Sequence, residues 1–135
     1  MRKQPIPVLA VVYAKDLAAV SAFYEQTLQR ERAEVEATHV LLSGGSTEVA
    51  VIQAPEPITT AITTSSPPTL RAGTPLKLSF LVEEFGRVRE AARRTGGSLK
   101  PEEAAWSWRG YLHLDGNDPE GNIVQFRIVA AAPTT

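Results

Sequence analysis

The same order of hydropathy patterns occurs twice in this chain, and the two copies keep one spacing. Leu9 stands seven residues before Asp16, and Lys77 seven before Glu84. Each copy opens on an apolar strand, passes through an acidic residue into an amphipathic helix, and continues in short apolar runs. Internal duplication is the economical explanation. A βαβββ unit leaves one oily sheet face uncovered, so two such units must fold against each other. The repeat predicts an α+β domain: two βαβββ modules forming a curved sheet around a cavity, with the helices outside. Module 1 covers about residues 6–54 and module 2 about 76–129.

In the first copy, residues 6–13 are apolar and β-branched and read as a buried strand. Asp16 suits a helix N-cap, because its carboxylate can accept a free backbone N–H of the first turn. The helix then runs to about Gln29, with Leu17, Val20, Tyr24 and Leu28 at helical spacing and Phe23 and Thr27 beside them. Residues 33–54 read as two or three antiparallel strands turning at Ser43-Gly44-Gly45-Ser46.

Residues 55–75 are rich in Pro, Thr and Ser and poor in large apolar groups, the composition of a linker or long surface loop. The pattern then restarts. Residues 76–82 read as a strand, and Glu83-Glu84 leads into a helix carrying Phe85, Val88 and Ala92, which Thr95-Gly96-Gly97 closes with a glycine C-cap. The tail at 130–135 reads as frayed.

The last hairpin carries the most chemical information. Strands at 110–114 and 123–129 flank Asp118-Pro119-Glu120-Gly121-Asn122, where proline fixes one backbone angle and glycine permits φ > 0. Alternation puts Leu112, Leu114, Val124, Phe126 and Ile128 on one face. Tyr111, His113, Gln125 and Arg127 fall on the other, a polar and aromatic surface suited to lining a pocket.

Composition narrows the function classes. At 135 residues the chain can build a core without staples, and its formal net charge of −1 gives no global field for nucleic acid or membrane. There is no cysteine, so disulfides, zinc–thiolate sites and thiol catalysis are excluded. No run approaches the roughly 18 apolar residues of a membrane span, and the charged start lacks a following apolar segment, so a cytoplasmic address is expected. The glycine pairs 44–45 and 96–97 serve a turn and a cap, not a phosphate loop.

The repeat, Asp16-Leu17 leading to Phe23-Tyr24, and the Asp118-Pro119-Glu120-Gly121-Asn122 turn together resemble the vicinal oxygen chelate superfamily of glyoxalases, extradiol dioxygenases and antibiotic-resistance proteins. The resemblance covers nearly the whole chain outside 55–75 and the tail. Enzymes of that superfamily hold a divalent metal through His or Glu near the start of each module's first strand and in its last strand. Those positions correspond here to Leu9, Ala50, Lys77 and Gln125. Two offer no lone pair, one is an ammonium, and one is a neutral amide. The expectation is therefore a protein without metal or other cofactor. Leu99-Lys100-Pro101, Trp106, Trp108-Arg109-Gly110-Tyr111 and Asp118-Pro119 are similar to the mitomycin-binding and bleomycin-resistance members, which sequester a drug without transforming it.

With the lost metal positions facing inward, the cavity lining is Leu9, Val11, Tyr13, Glu48, Lys77, Ser79, Leu81, Arg109, Tyr111, His113, Gln125 and Arg127. The ligand-binding residues expected from this are Tyr13, Lys77, Ser79, Trp106, Trp108, Arg109, Tyr111, His113, Gln125 and Arg127. Trp106 and Trp108 lie in a loop before the hairpin, as a stacking wall for a planar ligand or as a core or oligomer contact. Glu48 can pair with Lys77 across the cavity. His113 and Glu48 are the candidate bases if there is chemistry, and the facing of His39 is open.

Three functions fit. The first is a binding protein that sequesters an aromatic or antibiotic-like small molecule. The second is a lyase, isomerase or dioxygenase-like enzyme with an altered site. The third is an accessory interaction domain. The resemblance also implies a homodimer, whereas nucleic acid and membrane are not expected partners.

Overall fold

The computed structural model describes residues 5–62 and 65–131. The chain start and most of the 130–135 tail, read above as frayed, lie outside the described residues. Both copies open on a strand and a helix and continue in strands, three in the first copy and four in the second. Module 1 comprises β1 (Val8–Ala14), α1 (Leu17–Leu28), β2 (Glu31–Val35), β3 (His39–Ser43) and β4 (Thr47–Gln53). A short helix α2 (Ile58–Ala61) follows. Module 2 comprises β5 (Leu78–Leu81), α3 (Phe85–Arg94), β6 (Ser98–Leu99), β7 (Trp106–Trp108), β8 (Tyr111–Asn117) and β9 (Ile123–Val129).

The sheets repeat one another in topology. The first runs β1-β4-β3-β2; the second runs β5-β9-β8-β6, with β7 also against β8. In each, the first strand lies parallel to the last, and the last is antiparallel to its predecessor. The register matches as well: Val11 is level with Ala50, and Ser79 with Gln125. These are two separate sheets with no ladder between them among the described residues, so the curved wall is made of two halves meeting at a seam.

Each element has a local cause. The Asp16 carboxylate accepts the Ala19 N–H at 3.0 Å, which starts α1. Val20, Phe23, Tyr24 and Thr27 bury one face of that helix. At the end of α3, Gly96 takes φ +89° and the Gly97 N–H returns to the Ala92 carbonyl at 2.9 Å, closing the helix as the sequence predicts. Gly97 also approaches α1 so closely that an added Cβ would lie 2.5 Å from the Phe23 ring. The helices α1 and α3 pack together behind the sheets. The core between helices and sheets includes Phe23, Leu42, Val88, Leu114 and Phe126.

Four expectations need correction. β1 is not buried on both faces: Ala10, Val12 and Ala14 face the core, while Leu9, Val11 and Tyr13 alternate outward and are exposed. A run of apolar residues cannot by itself distinguish these cases. β5 is shorter than 76–82, so Lys77 precedes the strand. β8 does not stop at Leu114 but pairs through Asn117, opposite Ile123. The tryptophans lie on a strand rather than in a loop, because Trp106 and Trp108 pair with His113 and Tyr111.

The 55–75 segment, although loop-like in composition, is docked. Ile62 is buried, the Arg71 N–H donates to the Gly121 carbonyl at 2.8 Å, and Arg71 bridges to Asn122. Gly121 has φ +85°, and a Cβ there would lie 1.9 Å from the Thr69 carbonyl oxygen. Glycine is thus required both for the turn and for the segment lying on it.

The turn itself joins the modules. Asp118 is fully buried and accepts four hydrogen bonds: from the Tyr24 hydroxyl at 2.8 Å, the Asn122 side chain at 2.8 Å, and the backbone N–H groups of Glu120 and Asn122 at 2.9 and 3.0 Å. Glu120, also buried, accepts the N–H groups of Lys15 and Asp16 at 2.9 and 2.6 Å. Burial pushes the Tyr24 phenol well above its ordinary value of 10.0, and the charges of Asp118 and Glu120 push it further.

Tyr24→Phe is therefore expected to destabilise the fold by about 1–3 kcal/mol, the cost of depriving a buried acceptor of its donor. The pH dependence has a definite sign. A phenol whose folded value exceeds its unfolded value contributes stability that is complete below pH 10 and lost as pH rises through the folded value. Denaturant titrations should show the wild-type chain losing stability in that alkaline range and Tyr24→Phe losing less; equal losses would contradict this account.

Candidate functional site

The outward face of the second sheet gathers most of the residues singled out in the sequence. Cross-strand pairing puts Trp106 beside His113 and Trp108 beside Tyr111. Arg109 and Gly110 form the two-residue connection, with φ +55° and +83°. Both values are positive, as a type I′ hairpin requires. This turn aligns Arg109 with its own hairpin, and its guanidinium lies 5.6 Å from the centre of the Trp108 ring.

Two further cations sit over aromatic rings. The Lys77 ammonium lies 5.5 Å from the Trp106 ring centre and the Arg127 guanidinium 5.1 Å from that of Tyr111. Arg127 also donates to the Ser79 carbonyl at 3.1 Å. Such contacts contribute about 0.5–1 kcal/mol each at exposed sites, and they fix the long side chains over the rings. The two tryptophans remain 41% and 61% exposed, Trp108 the more.

Beneath them His113 is buried at 4% exposure, its ring stacked on Trp106 at 5.5 Å with an interplanar angle of 19°. Its hydrogen bonds belong to a row. The Lys77 ammonium donates to Asp115 Oδ2 at 3.1 Å, and the Gln125 amide nitrogen donates to Asp115 Oδ1 at 3.3 Å. That orientation turns Gln125 Oε1 toward His113 Nδ1 at 3.0 Å, while His113 Nε2 meets the Trp108 carbonyl at 3.0 Å. Both ring nitrogens thus face oxygens, and which of them the proton of a neutral ring serves depends on the tautomer. His113 is therefore held at both ends of its ring, which leaves it little freedom to turn toward a substrate as a candidate base.

Not every expected residue joins this face. Tyr13 belongs to β1 in the first sheet and lines a different cavity, at the seam. Glu48 lies level with Leu9 on β4. The expected Glu48–Lys77 pair is not formed, since Lys77 bonds Asp115 instead. His39 lies on β3 with Nε2 2.6 Å from Glu34 on the neighbouring strand, a surface pair away from this row. Asp115, which orients Gln125 and holds Lys77, lies beyond Leu114, where the apolar alternation of the strand ends in the sequence. The alternation Tyr111, His113 points to it one step further on.

Beside the Lys77–Asp115 pair a cavity of about 570 Å³ opens under the 70–77 segment. Leu70, Pro75, Leu76, Leu99 and Ile123 give it apolar walls, and Lys77, Lys100 and Asp115 give it charged ones.

The four positions where the resembled superfamily holds metal can be tested for fit. Leu9 and Ala50 present hydrocarbon, Lys77 an ammonium paired with Asp115, and Gln125 an oxygen directed at His113. This donor set does not suit a divalent cation. Among the described residues there is no group of three or more His, Asp or Glu side chains placed to hold one. No helix of the described residues is long and apolar enough to cross a membrane.

No protein-family model matches the chain, and no curated protein matches it in sequence. Its fold, however, is well represented among solved structures. A glyoxalase/bleomycin resistance protein from Albidiferax ferrireducens is similar with a TM-score of 0.62 and 17% identity, over 89% of this chain and 95% of that one. A glyoxalase/bleomycin resistance protein/dioxygenase family enzyme from Burkholderia phytofirmans gives 0.64 and 19%, over 90% and 96%. The fosfomycin resistance protein FosX from Mesorhizobium loti gives 0.61 and 11%, over 97% and 95%. The chain therefore has the vicinal oxygen chelate fold that its sequence resembles.

The row through His113 makes a stability prediction. Gln125→Leu leaves the buried His113 Nδ1 without its partner and should cost about 1–3 kcal/mol. Denaturant unfolding measures this, and a loss below a few tenths of that range would show that the row is not formed.

Proposed function

We propose that this chain, with its glyoxalase and bleomycin-resistance fold, is a metal-independent protein that binds and sequesters a planar, largely apolar small molecule. The observation that carries this reading is the aromatic face of the second sheet. Trp106, Trp108 and Tyr111 are held on a short rigid hairpin with a cation over each ring, and the tryptophans are left open to water. Exposed apolar patches with polar rims mark sites of recognition. Planar ligands gain about 0.5–1.5 kcal/mol from stacking beyond the area they bury.

The geometry divides the labour between the two tryptophans. Trp106 already stacks on His113, so Trp108, with more free surface, is the main stacking residue for the ligand. Lys77, Arg109 and Arg127 outnumber Asp115 on this face, which favours a ligand with an acidic or electron-rich edge. The enzyme reading draws on the Burkholderia protein described as a dioxygenase family enzyme. Here it would rest on Glu48 as base, since both nitrogens of His113 are engaged.

A homodimer and a cytoplasmic location belong to the same proposal. Leu9, Val11 and Leu81 are exposed apolar residues on outward sheet positions, a surface that a second copy can cover. Sedimentation at micromolar concentration is expected to give twice the monomer mass; a monomer would contradict the assembly.

A thermal-shift screen of DNA-damaging antibiotics and other polycyclic aromatics, followed by tryptophan-quenching titrations, tests the binding reading. Loss of a central aromatic anchor typically costs 2 kcal/mol or more, about thirtyfold in affinity. Trp108→Ala should show that loss for any hit, and the ligand should be recovered unaltered. Unchanged affinity would remove the stacking face, and a chemically altered ligand would replace sequestration with catalysis.

A further inference from the structure

The seam between the two sheets holds a charged group that nothing in the aromatic face uses. Arg71 is fixed there by its backbone, through the hydrogen bond to Gly121 and the bridge to Asn122. Its side-chain Nη2 is buried and has no hydrogen-bond partner among the described residues. Buried polar atoms without partners are rare in native proteins, and a guanidinium cannot escape the cost by losing its proton.

Arg71 lines a cavity of about 500 Å³ whose other walls include Val11 and Tyr13 from β1, Leu76, and Leu78 from β5. The volume lies within the range of small-molecule sites, and among the described residues Arg71 is the one charged group in a lining that is otherwise mainly apolar, with Tyr13, Tyr24, Thr74 and Asn122 as its neutral polar members. The polar group sets the ligand chemistry. A guanidinium presents parallel N–H donors that match the two oxygens of a carboxylate, and the pairing is strongest where water is excluded.

We propose that this seam is a second binding site, separate from the aromatic face, which takes an apolar carboxylate through Arg71. The ligand's acid pairs with the Arg71 guanidinium, which makes no side-chain hydrogen bond or ion pair among the described residues, and its hydrocarbon lies against Val11, Leu76 and Leu78. The site's existence does not depend on the reading given for Trp106 and Trp108.

Naphthoate serves as the probe and its uncharged analogue naphthamide as the control, titrated calorimetrically into the full chain. The wild-type chain is expected to bind naphthoate at least tenfold more tightly than naphthamide. Arg71→Met should erase that preference while raising, or leaving unchanged, the melting temperature of the ligand-free protein, because the variant gives up no side-chain hydrogen bond and no longer hides an unpartnered Nη2. An arginine with a purely structural role would instead lower the melting temperature when replaced. Trp108→Ala, which removes the contribution of the aromatic face, should keep the preference for naphthoate over naphthamide. Equal affinity for the two probes, or undiminished naphthoate binding in Arg71→Met, would overturn the proposal. So would a loss confined to Trp108→Ala, which places the probe on the aromatic face. If Arg71→Met does not fold, the wild type decides: naphthoate should shift the Arg71 Nε–H resonance, and a signal unmoved at saturation rejects the site.

Discussion

Two carboxylates in one turn hold the halves of this molecule in register. Asp118 and Glu120 belong to module 2, yet Asp118 accepts the Tyr24 hydroxyl of module 1 beside its bonds within the turn, and Glu120 accepts the module 1 N–H groups of Lys15 and Asp16. Burying two acids is costly, and each is compensated by hydrogen bonds to the charged form rather than by an opposite charge. Gly121 follows them in the same turn, and Thr69 and Leu70 lie directly on it. The start of α1, the last hairpin and the connection between modules therefore meet at one point, and the packing of α1 on α3 extends from it.

That arrangement separates structure from recognition. The turn fixes where β9 begins, and the β8–β9 ladder carries the register out to Tyr111 and Val129. His113, Asp115 and Gln125 then fall on one face because strand residues alternate, with no further constraint needed. What the outward face adds is a row of side chains from Lys77 to the Trp108 carbonyl in which each group fixes the orientation of the next. A pre-ordered face of this kind loses little freedom when a ligand binds.

Much of this was legible in the sequence because it follows from periodicity. The repeat gave the modules, Asp16 the start of α1, Gly96 the end of α3, and alternation the two faces of the last hairpin. The features that escaped depend on reach and context. Asp115 lay one alternation beyond the strand end assigned from hydrophobicity, since Gly116 and Asn117 continue the ladder without being apolar. The brief strand Trp106–Trp108 has no length from which a period could be read. The partner of Lys77 could not be read either, because Glu48 and Asp115 are equally plausible acceptors until the two sheets are placed. Arg71 stood alone in a stretch whose composition resembles a linker, and only its docking on Gly121 gives it a position.

The distance in sequence between the two sides of the turn has a consequence for synthesis. Glu120 caps the approach to α1 from 105 and 104 residues away, and Asp118 meets Tyr24 across 94. As the chain leaves the ribosome from its N-terminus, module 1 emerges complete while the groups that satisfy its helix entrance and its buried phenol have yet to be made. Its Lys15 and Asp16 N–H groups and Tyr24 hydroxyl stay in water until residues 118–120 are out. The first half thus waits in an unfinished state, its apolar sheet face uncovered, and final docking is a late step that depends on the last hairpin.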